Sequence, residues 1–199
     1  MKRLMPLLLA LIFMASLVVL AYGYLQHSVT TRWEEAQELE RKGMAKEAAA
    51  AYKGISQYLE RFDVLKSHFN REYSAAQIGQ LRLLYQLGTY DKVIDLADTC
   101  AKEKLTDAGA VYFWGGNALI QRGMTEEKAE DAFPWLHRAM AQFQKGLEED
   151  VEKHWNLKYN YELVKTIIDP ASKNQEEKPQ QILRKKEERI EKQPTKIAG

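Results

Sequence analysis

The chain has 199 residues, of which 45% are apolar and 29% are charged, and this length allows one globular domain with short appendages. The formal net charge is +1 at pH 7, which argues against the strongly basic surface that a nucleic-acid-binding protein needs. We therefore predict no nucleic-acid partner.

The N-terminus predicts a membrane anchor. Lys2 and Arg3 precede residues 4–25, which are almost wholly apolar and long enough to cross a hydrocarbon core of about 30 Å as a helix. Basic charge on the short flank predicts that the N-terminus stays in the cytoplasm and that the rest of the chain lies on the other side. A cleaved signal peptide is the alternative. The length of the apolar segment and the belt-like pair Tyr22 and Tyr24 favour a retained anchor.

A first helical hairpin is predicted after the anchor, from about Ser28. Residues 33–39 carry apolar side chains at three-residue steps, and the pattern ends at Gly43. The alanine-rich run 45–59 is predicted to form the partner helix.

A second hairpin follows a polar bend at 61–63. A helical pattern covers 65–85 and is closed by Gly88, and a partner helix is predicted over 90–102. Cys100 is the one cysteine in the sequence. We interpret it as a small buried residue rather than a nucleophile.

The stretch 112–123 reads YFWGGNALIQRG and predicts the first helix of a third hairpin. Glycine inside a helix costs about 1 kcal/mol relative to alanine, so the pair Gly115-Gly116 predicts that another backbone packs closely there. Gly123 is expected to stop the helix, because glycine reaches the left-handed conformation without a steric penalty.

The rest of the chain predicts further helices and then a tail. Pro134 leaves two alternatives open: a short turn at 126–132 followed by a new helix at 134–147, or one bent helix. A last helix is predicted over 151–168 as a cap that shields the core on one side. The tail, 172–199, is rich in Lys, Arg and Glu and is expected to be disordered or a loose solvated helix.

The three hairpins have a repeating spacing. The turn glycines Gly43, Gly88 and Gly123 are separated by 45 and 35 residues, and a leucine lies four residues before each. This pattern resembles the tetratricopeptide repeat, a helix-turn-helix unit of about 34 residues. The longer separation then requires about ten inserted residues relative to that period, which we place at 60–70.

Together with the predicted anchor and tail, the resemblance implies an all-α fold with three parts. An N-terminal transmembrane helix is followed by a TPR-like α-hairpin array, which is an α-solenoid, and by a charged tail. The corresponding domains are a membrane anchor at 1–27, a helical repeat domain at 28–171 and a flexible tail at 172–199.

The same resemblance implies a binding groove, since in the tetratricopeptide family the first helix of each pair lines the concave surface. The candidate partner-binding residues are Arg82, Tyr85, Phe113, Asn117 and Gln121. Asn117 matches a position where family members often hold a partner's backbone amide, and an asparagine side chain offers both a donor and an acceptor. The expected partner is a protein or a peptide.

Signatures of catalysis and metal binding are weak. The four histidines occur without an HExxH motif or paired cysteines, and no glycine-rich phosphate loop is present. We therefore predict no catalytic residue, no metal and no cofactor, and an enzyme is the least favoured class. A minor hypothesis concerns His154, which lies one helical turn after Asp150, a spacing that suits two metal ligands.

A narrower resemblance covers roughly residues 110–168. GNALIQRG and the later KYNYEL at 158–163 look like motifs of membrane-anchored repeat proteins found in bacteria with von Willebrand factor A-type domain proteins and MoxR-type AAA+ ATPases. The resemblance implies a periplasmic adaptor on the inner membrane, in metalloenzyme maturation or envelope complex assembly, with a von Willebrand factor A-type protein as partner. The alternative is a permanent subunit of a larger membrane complex.

Overall fold

The computed structural model describes residues 4–103, 105–149 and 155–169, with side chains from Leu9 onward. These residues form eight α-helices and no strand, which confirms the all-helical prediction. The helices are α1 (Leu4–Arg41), α2 (Ala45–Leu59), α3 (Asp63–His68), α4 (Asn70–Gln86), α5 (Tyr90–Cys100), α6 (Ala108–Met124), α7 (Ala129–Glu149) and α8 (Trp155–Ile168). The chain divides into two compact units at the junction between Asp107 and Ala108.

Helix α1 is longer than the sequence pattern predicts. The predicted anchor at 4–25 and the predicted helix at 33–39 belong to one uninterrupted helix of 38 residues, because no proline stands between them and Gly23 does not stop the helix. By length and composition, α1 is able to cross a membrane, and its most apolar part is not buried by the rest of the described chain.

The first hairpin, α1 with α2, forms as predicted. Helix α2 has the predicted bounds, and its side chains at helical spacing face the core, with Tyr52, Ile55 and Leu59 at 3% exposure or less. The turn before it contains Gly43 at φ +73°, a left-handed conformation that glycine adopts most readily.

The predicted helix over 65–85 is interrupted, so this prediction is wrong in one detail. Phe69 has φ −102° and ψ 34°, which separates the short helix α3 from α4. The ring of Phe69 is buried in the core, so tertiary packing fixes a break that the helical pattern did not show. Helix α3 lies within the segment 60–70 that was predicted as an insertion.

The second pair, α4 with α5, turns at Gly88, whose φ is +68°. Val93, Ala97 and Cys100 on α5 are almost completely buried. Burial raises the pKa of the Cys100 thiol to about 12, so the thiol stays protonated at neutral pH and is a poor nucleophile. The interpretation of Cys100 as a buried residue is confirmed.

Glycines in the second unit make room for side chains. A Cβ atom at Gly116 would lie 2.4 Å from the Phe143 ring, and one at Gly146 would lie 2.9 Å from the Cβ atom of Tyr112. Close packing at Gly116 is therefore present, but the neighbour is an aromatic ring on α7 and not the backbone that the sequence predicted.

The prediction for Gly123 is wrong. Gly123 lies inside α6, which ends at Met124, and the described glycines with positive φ are Gly43 and Gly88. A Cβ atom at Gly123 would lie 3.2 Å from the Cβ atom of Trp135. The small residue thus permits the approach of α7 and does not make a left-handed turn.

Helix α7 resolves the two alternatives that the sequence leaves open at Pro134. Helix α7 is one helix of 21 residues with Pro134 inside it. Helix α8 buries Leu157 and Val164, whereas four of its large apolar side chains are exposed: Trp155, Tyr159, Leu163 and Ile167. The predicted tail and the pair Asp150 and His154 lie outside the described residues.

Candidate binding cleft in the first unit

A cleft of about 780 Å³ lies between α1 and α4 and reaches Tyr52 on α2. Its two walls are the first helices of the two packed pairs α1–α2 and α4–α5. The residues that line it are Trp33, Gln37, Glu40, Arg41, Tyr52, Arg71, Ala75, Ile78, Gly79, Arg82, Thr106 and Asp107. On α1, the lining positions recur at intervals of three and four residues, so one face of the helix supplies them.

An ion pair crosses the cleft at one end. The guanidinium of Arg82 lies 2.8 Å from each carboxylate oxygen of Glu40, with about a third of each side chain exposed. The hydroxyl of Tyr52 also donates to Oε2 of Glu40 at 3.2 Å. Burial, and then the nearby Glu40 carboxylate, raise the pKa of Tyr52, so this hydroxyl remains a donor into more alkaline solution than a free tyrosine does.

The floor of the cleft is aromatic. The rings of Trp33 and Tyr52 meet edge to face, with centroids 5.4 Å apart. Gly79 on α4 lies under the Tyr52 ring, where an added Cβ atom would be 3.2 Å from the ring carbons. The absence of a side chain at Gly79 therefore allows the ring to pack against α4 and keeps the cleft open above it.

The cleft is lined by more arginines than carboxylates, with Arg41, Arg71 and Arg82 against Glu40 and Asp107. Arg41 pairs with Glu38 at 2.8 Å on the exposed side of α1, and the side chain of Arg71 is exposed. A ligand in the cleft would therefore meet guanidinium groups around an aromatic floor. Arginine binds carboxylates through two parallel hydrogen bonds, so acidic side chains suit this arrangement.

The predicted partner-binding residues are divided between the two units. Arg82 lies in the cleft, whereas the ring of Tyr85 packs against Tyr90 with centroids 5.4 Å apart. The other three belong to the second unit, on α6. There the ring of Phe113 meets the Trp114 ring at 5.0 Å, and Gln121 is half-buried.

Asn117 has a partner within the second unit. Nδ2 of Asn160 on α8 donates to Oδ1 of Asn117 at 2.8 Å. The two sequence motifs GNAL and KYN thus meet through their asparagines. This hydrogen bond joins α8 to α6, which gives a structural reason for both motifs to occur in one chain.

Sequence reasoning missed most of the cleft. Trp33, Gln37 and Arg41 recur at four-residue spacing, which was a detectable signal of one helix face. Arg71 and Tyr52 had no comparable signal, because their approach to α1 depends on how α2 and α4 pack.

A buried polar cluster stabilises the other side of the first unit. The hydroxyl of Tyr73 lies 2.8 Å from Glu60 and 2.8 Å from Glu103, and it accepts a hydrogen bond from Gln77 at 2.9 Å. Lys66 pairs with Glu103 at 2.8 Å. Burial raises the pKa of Tyr73. The cluster joins α2, α3, α4 and the end of α5, and within it Oε1 of Gln77 is buried without a hydrogen-bond partner among the described residues.

Within the described residues, no group of three or more His, Cys, Asp or Glu side chains is arranged to hold a metal ion. Comparison of the chain with protein-family models, with curated proteins and with solved structures finds no match.

Proposed function

We propose that this protein is a membrane-anchored scaffold whose cleft binds a segment of a partner protein carrying acidic side chains. The observation that carries the proposal is the cleft between α1 and α4, with arginines around an aromatic floor. Its volume of about 780 Å³ lies within the range of roughly 300–1,000 Å³ typical of ligand sites.

The helical framework supports binding with a low entropic cost. Trp33, Tyr52 and Gly79 pack against one another, so the floor is formed before a ligand arrives. A preorganised site loses less conformational freedom on binding. Aromatic and arginine side chains are also the residues that most often dominate binding energy in protein interfaces.

The proposed cellular location of the cleft rests on α1. The apolar part of this helix would cross the bacterial inner membrane, with Lys2 and Arg3 on the cytoplasmic side and the cleft in the periplasm. The TPR-like spacing of the hairpins suits a scaffold, and the narrower motif resemblance favours a von Willebrand factor A-type protein as partner.

A permanent subunit of a larger membrane complex is the second candidate. The exposed row Trp155, Tyr159, Leu163 and Ile167 on α8 favours it, with Trp155 71% exposed, because such rows often mark interfaces. Co-purification that survives high salt would favour the permanent subunit, whereas salt-sensitive capture that acidic peptides compete away would favour the scaffold.

The experiment places a photo-crosslinking amino acid at Gln37, inside the cleft, in the full chain in its native membranes. Gln57 on α2, which lines a different surface groove, is the matched control position. We expect a distinct crosslinked polypeptide from Gln37 and a loss of roughly tenfold with Arg71→Glu, since this change places like charges together. Lys53→Glu, beside Gln57, should leave the product unchanged.

Equal crosslinking from Gln37 and Gln57, or an unchanged product with Arg71→Glu, would contradict the proposal. Asn117→Ala is not a clean test of partner binding, because Asn117 holds Asn160 on α8. Arg82→Ala is likewise unsuitable, since it leaves Glu40 without its cation.

A further inference from the structure

Two large apolar side chains, those of Phe62 and Val64, are unusually exposed to solvent. Phe62 is 64% exposed and Val64 is 78% exposed. In the first unit, the next most exposed large apolar side chains outside α1 are Leu87 at 41% and Met44 at 40%. Keeping apolar surface in water is unfavourable by about 25 cal/mol per Å², so neighbouring exposed apolar side chains suggest a surface that is covered in use.

Helix α3, which follows Phe62, lies beside the apolar part of α1. Nε2 of His68 is 3.2 Å from the hydroxyl of Tyr22, and the two rings meet edge to face with centroids 5.3 Å apart. Just before Tyr22, the side chains of Val19 and Leu20 are each 69% exposed. The contact therefore places α3 at the end of the apolar stretch.

The directions of the helices place the whole α2–α3–α4 connection at this end. Arg82 near the end of α4 pairs with Glu40 near the end of α1, whereas Arg71 at the start of α4 lies beside Gln26 and Thr30. Helix α4 thus runs in the same direction as α1. The turns at Gly43 and Gly88 lie at the opposite end of the unit.

We propose that Phe62 and Val64 insert into the interfacial zone of the same lipid bilayer that α1 crosses. This inference rests on the anchoring of α1 in the proposed function. Tyrosines such as Tyr22 and Tyr24 are enriched at membrane interfaces. The contact of His68 with Tyr22 places α3 at the same depth along α1. The lipid surface is favoured as the occupant because His68, one helical turn after Val64, contacts Tyr22 at the end of the apolar part of α1.

The charges beside Phe62 indicate whether insertion depends on the charge of the lipid headgroups. Arg61 and Asp63 flank Phe62 with opposite charge, so the segment has no net attraction to anionic lipids. Insertion therefore depends on the apolar side chains and takes place on zwitterionic phosphatidylcholine. A second point of attachment would hold the first unit against the membrane and limit its rotation about α1.

The test uses the full chain in phosphatidylcholine nanodiscs, with a nitroxide label attached at Val64→Cys, Met44→Cys or Phe13→Cys. Wild-type protein gives the background, because Cys100 is buried. The measurement is the ratio of collisions with oxygen, which concentrates in the bilayer, to collisions with a water-soluble nickel chelate. Circular dichroism checks that each labelled protein is folded.

We expect a high ratio at Phe13→Cys and a low ratio at Met44→Cys. The ratio at Val64→Cys should be at least about threefold higher than at Met44→Cys, as expected for a side chain inside the membrane interface. A high ratio at Phe13→Cys with equal ratios at Val64→Cys and Met44→Cys would overturn this inference alone. A low ratio at Phe13→Cys would overturn the anchor as well.

Discussion

The turn glycines of the first unit and the helical glycines of the second unit have different roles. In the first unit, Gly43 and Gly88 have positive φ and form the turns between paired helices. In the second unit, Gly116 and Gly146 lie within helices, where an added Cβ atom would lie less than 3 Å from neighbouring side-chain atoms. Glycine therefore has two roles in the described chain: it adopts positive φ at the turns, and inside a helix it leaves room for a neighbouring ring, as Gly79 also does beside Tyr52.

The units also differ in their buried polar groups. In the first unit, the hydroxyl of Tyr73 has hydrogen-bonding partners on Glu60, Glu103 and Gln77. In the second, the hydroxyl of Tyr112 donates to Glu149 at 3.0 Å. The first unit therefore contains the larger polar cluster, whereas the tightest contacts at glycine, those of Gly116 and Gly146, lie in the second unit.

The largest expected effect tests steric fit in the second unit. Gly116→Leu should destabilise α6 and α7 by more than about 3 kcal/mol, because overpacking a filled core typically costs about 1–3 kcal/mol and here even the Cβ atom overlaps the Phe143 ring. The measurement is loss of hydrogen-exchange protection in α6 and α7 of the full chain in detergent micelles.

Gly54→Leu is the matched control, since a Cβ atom at Gly54 has no neighbour within 4 Å, and it should preserve the protection of α2. Retained hydrogen-exchange protection in α6 after Gly116→Leu would contradict this expectation, because it would show that the Phe143 ring moves aside without a loss of stability.

The next effect tests the polar network. Tyr73→Phe should lower the free energy of unfolding by about 2 kcal/mol, because it leaves the buried Gln77 donor without its acceptor. The measurement is urea unfolding followed by circular dichroism. Tyr112→Phe, which removes the single bond to Glu149, should cost about 1 kcal/mol.

The pH dependence of the same variants supplies a second check. Because the pKa of Tyr73 is raised above its ordinary value of 10.0, the folded chain keeps the proton while the unfolded chain loses it, and stability falls as the pH rises above about 10. Tyr73→Phe should show a smaller fall than wild type. Identical alkaline curves would count against this role of the hydroxyl.

The smallest effect tests the turns. Gly88→Ala should destabilise the first unit by about 1 kcal/mol, because alanine at φ +68° meets a steric penalty that glycine avoids. Gly54→Ala is the control and should be stabilising by about 0.5–1 kcal/mol, as expected for alanine in a helix. The two changes should shift the thermal midpoint in opposite directions, and equal shifts would contradict this account.

Local sequence signals predicted local structure well. The bounds of α2, the turns at Gly43 and Gly88 and the burial of Cys100 were all predictable, because spacing and turn chemistry determine them. The break at Phe69 and the helical state of Gly123 were not, since both depend on neighbours that are distant in sequence.

The candidate cleft was predictable only in part. Arg82 was expected on the first helix of its pair, and the structure places it in the cleft. Its ion pair with Glu40 spans 42 positions in the chain, and spacing along one helix carries no information about such a contact. Trp33 was visible as an aromatic residue, but the cleft floor exists only once Tyr52 packs beside it.

Helix α1 continues without interruption from Leu4 to Arg41, and this continuity has a mechanical consequence. One added residue between the apolar stretch 4–25 and Trp33 would rotate the cleft by about 100° about the helix axis relative to that stretch and shift it by about 1.5 Å. The direction in which the cleft opens relative to the apolar stretch of α1 is therefore determined by the number of residues between them.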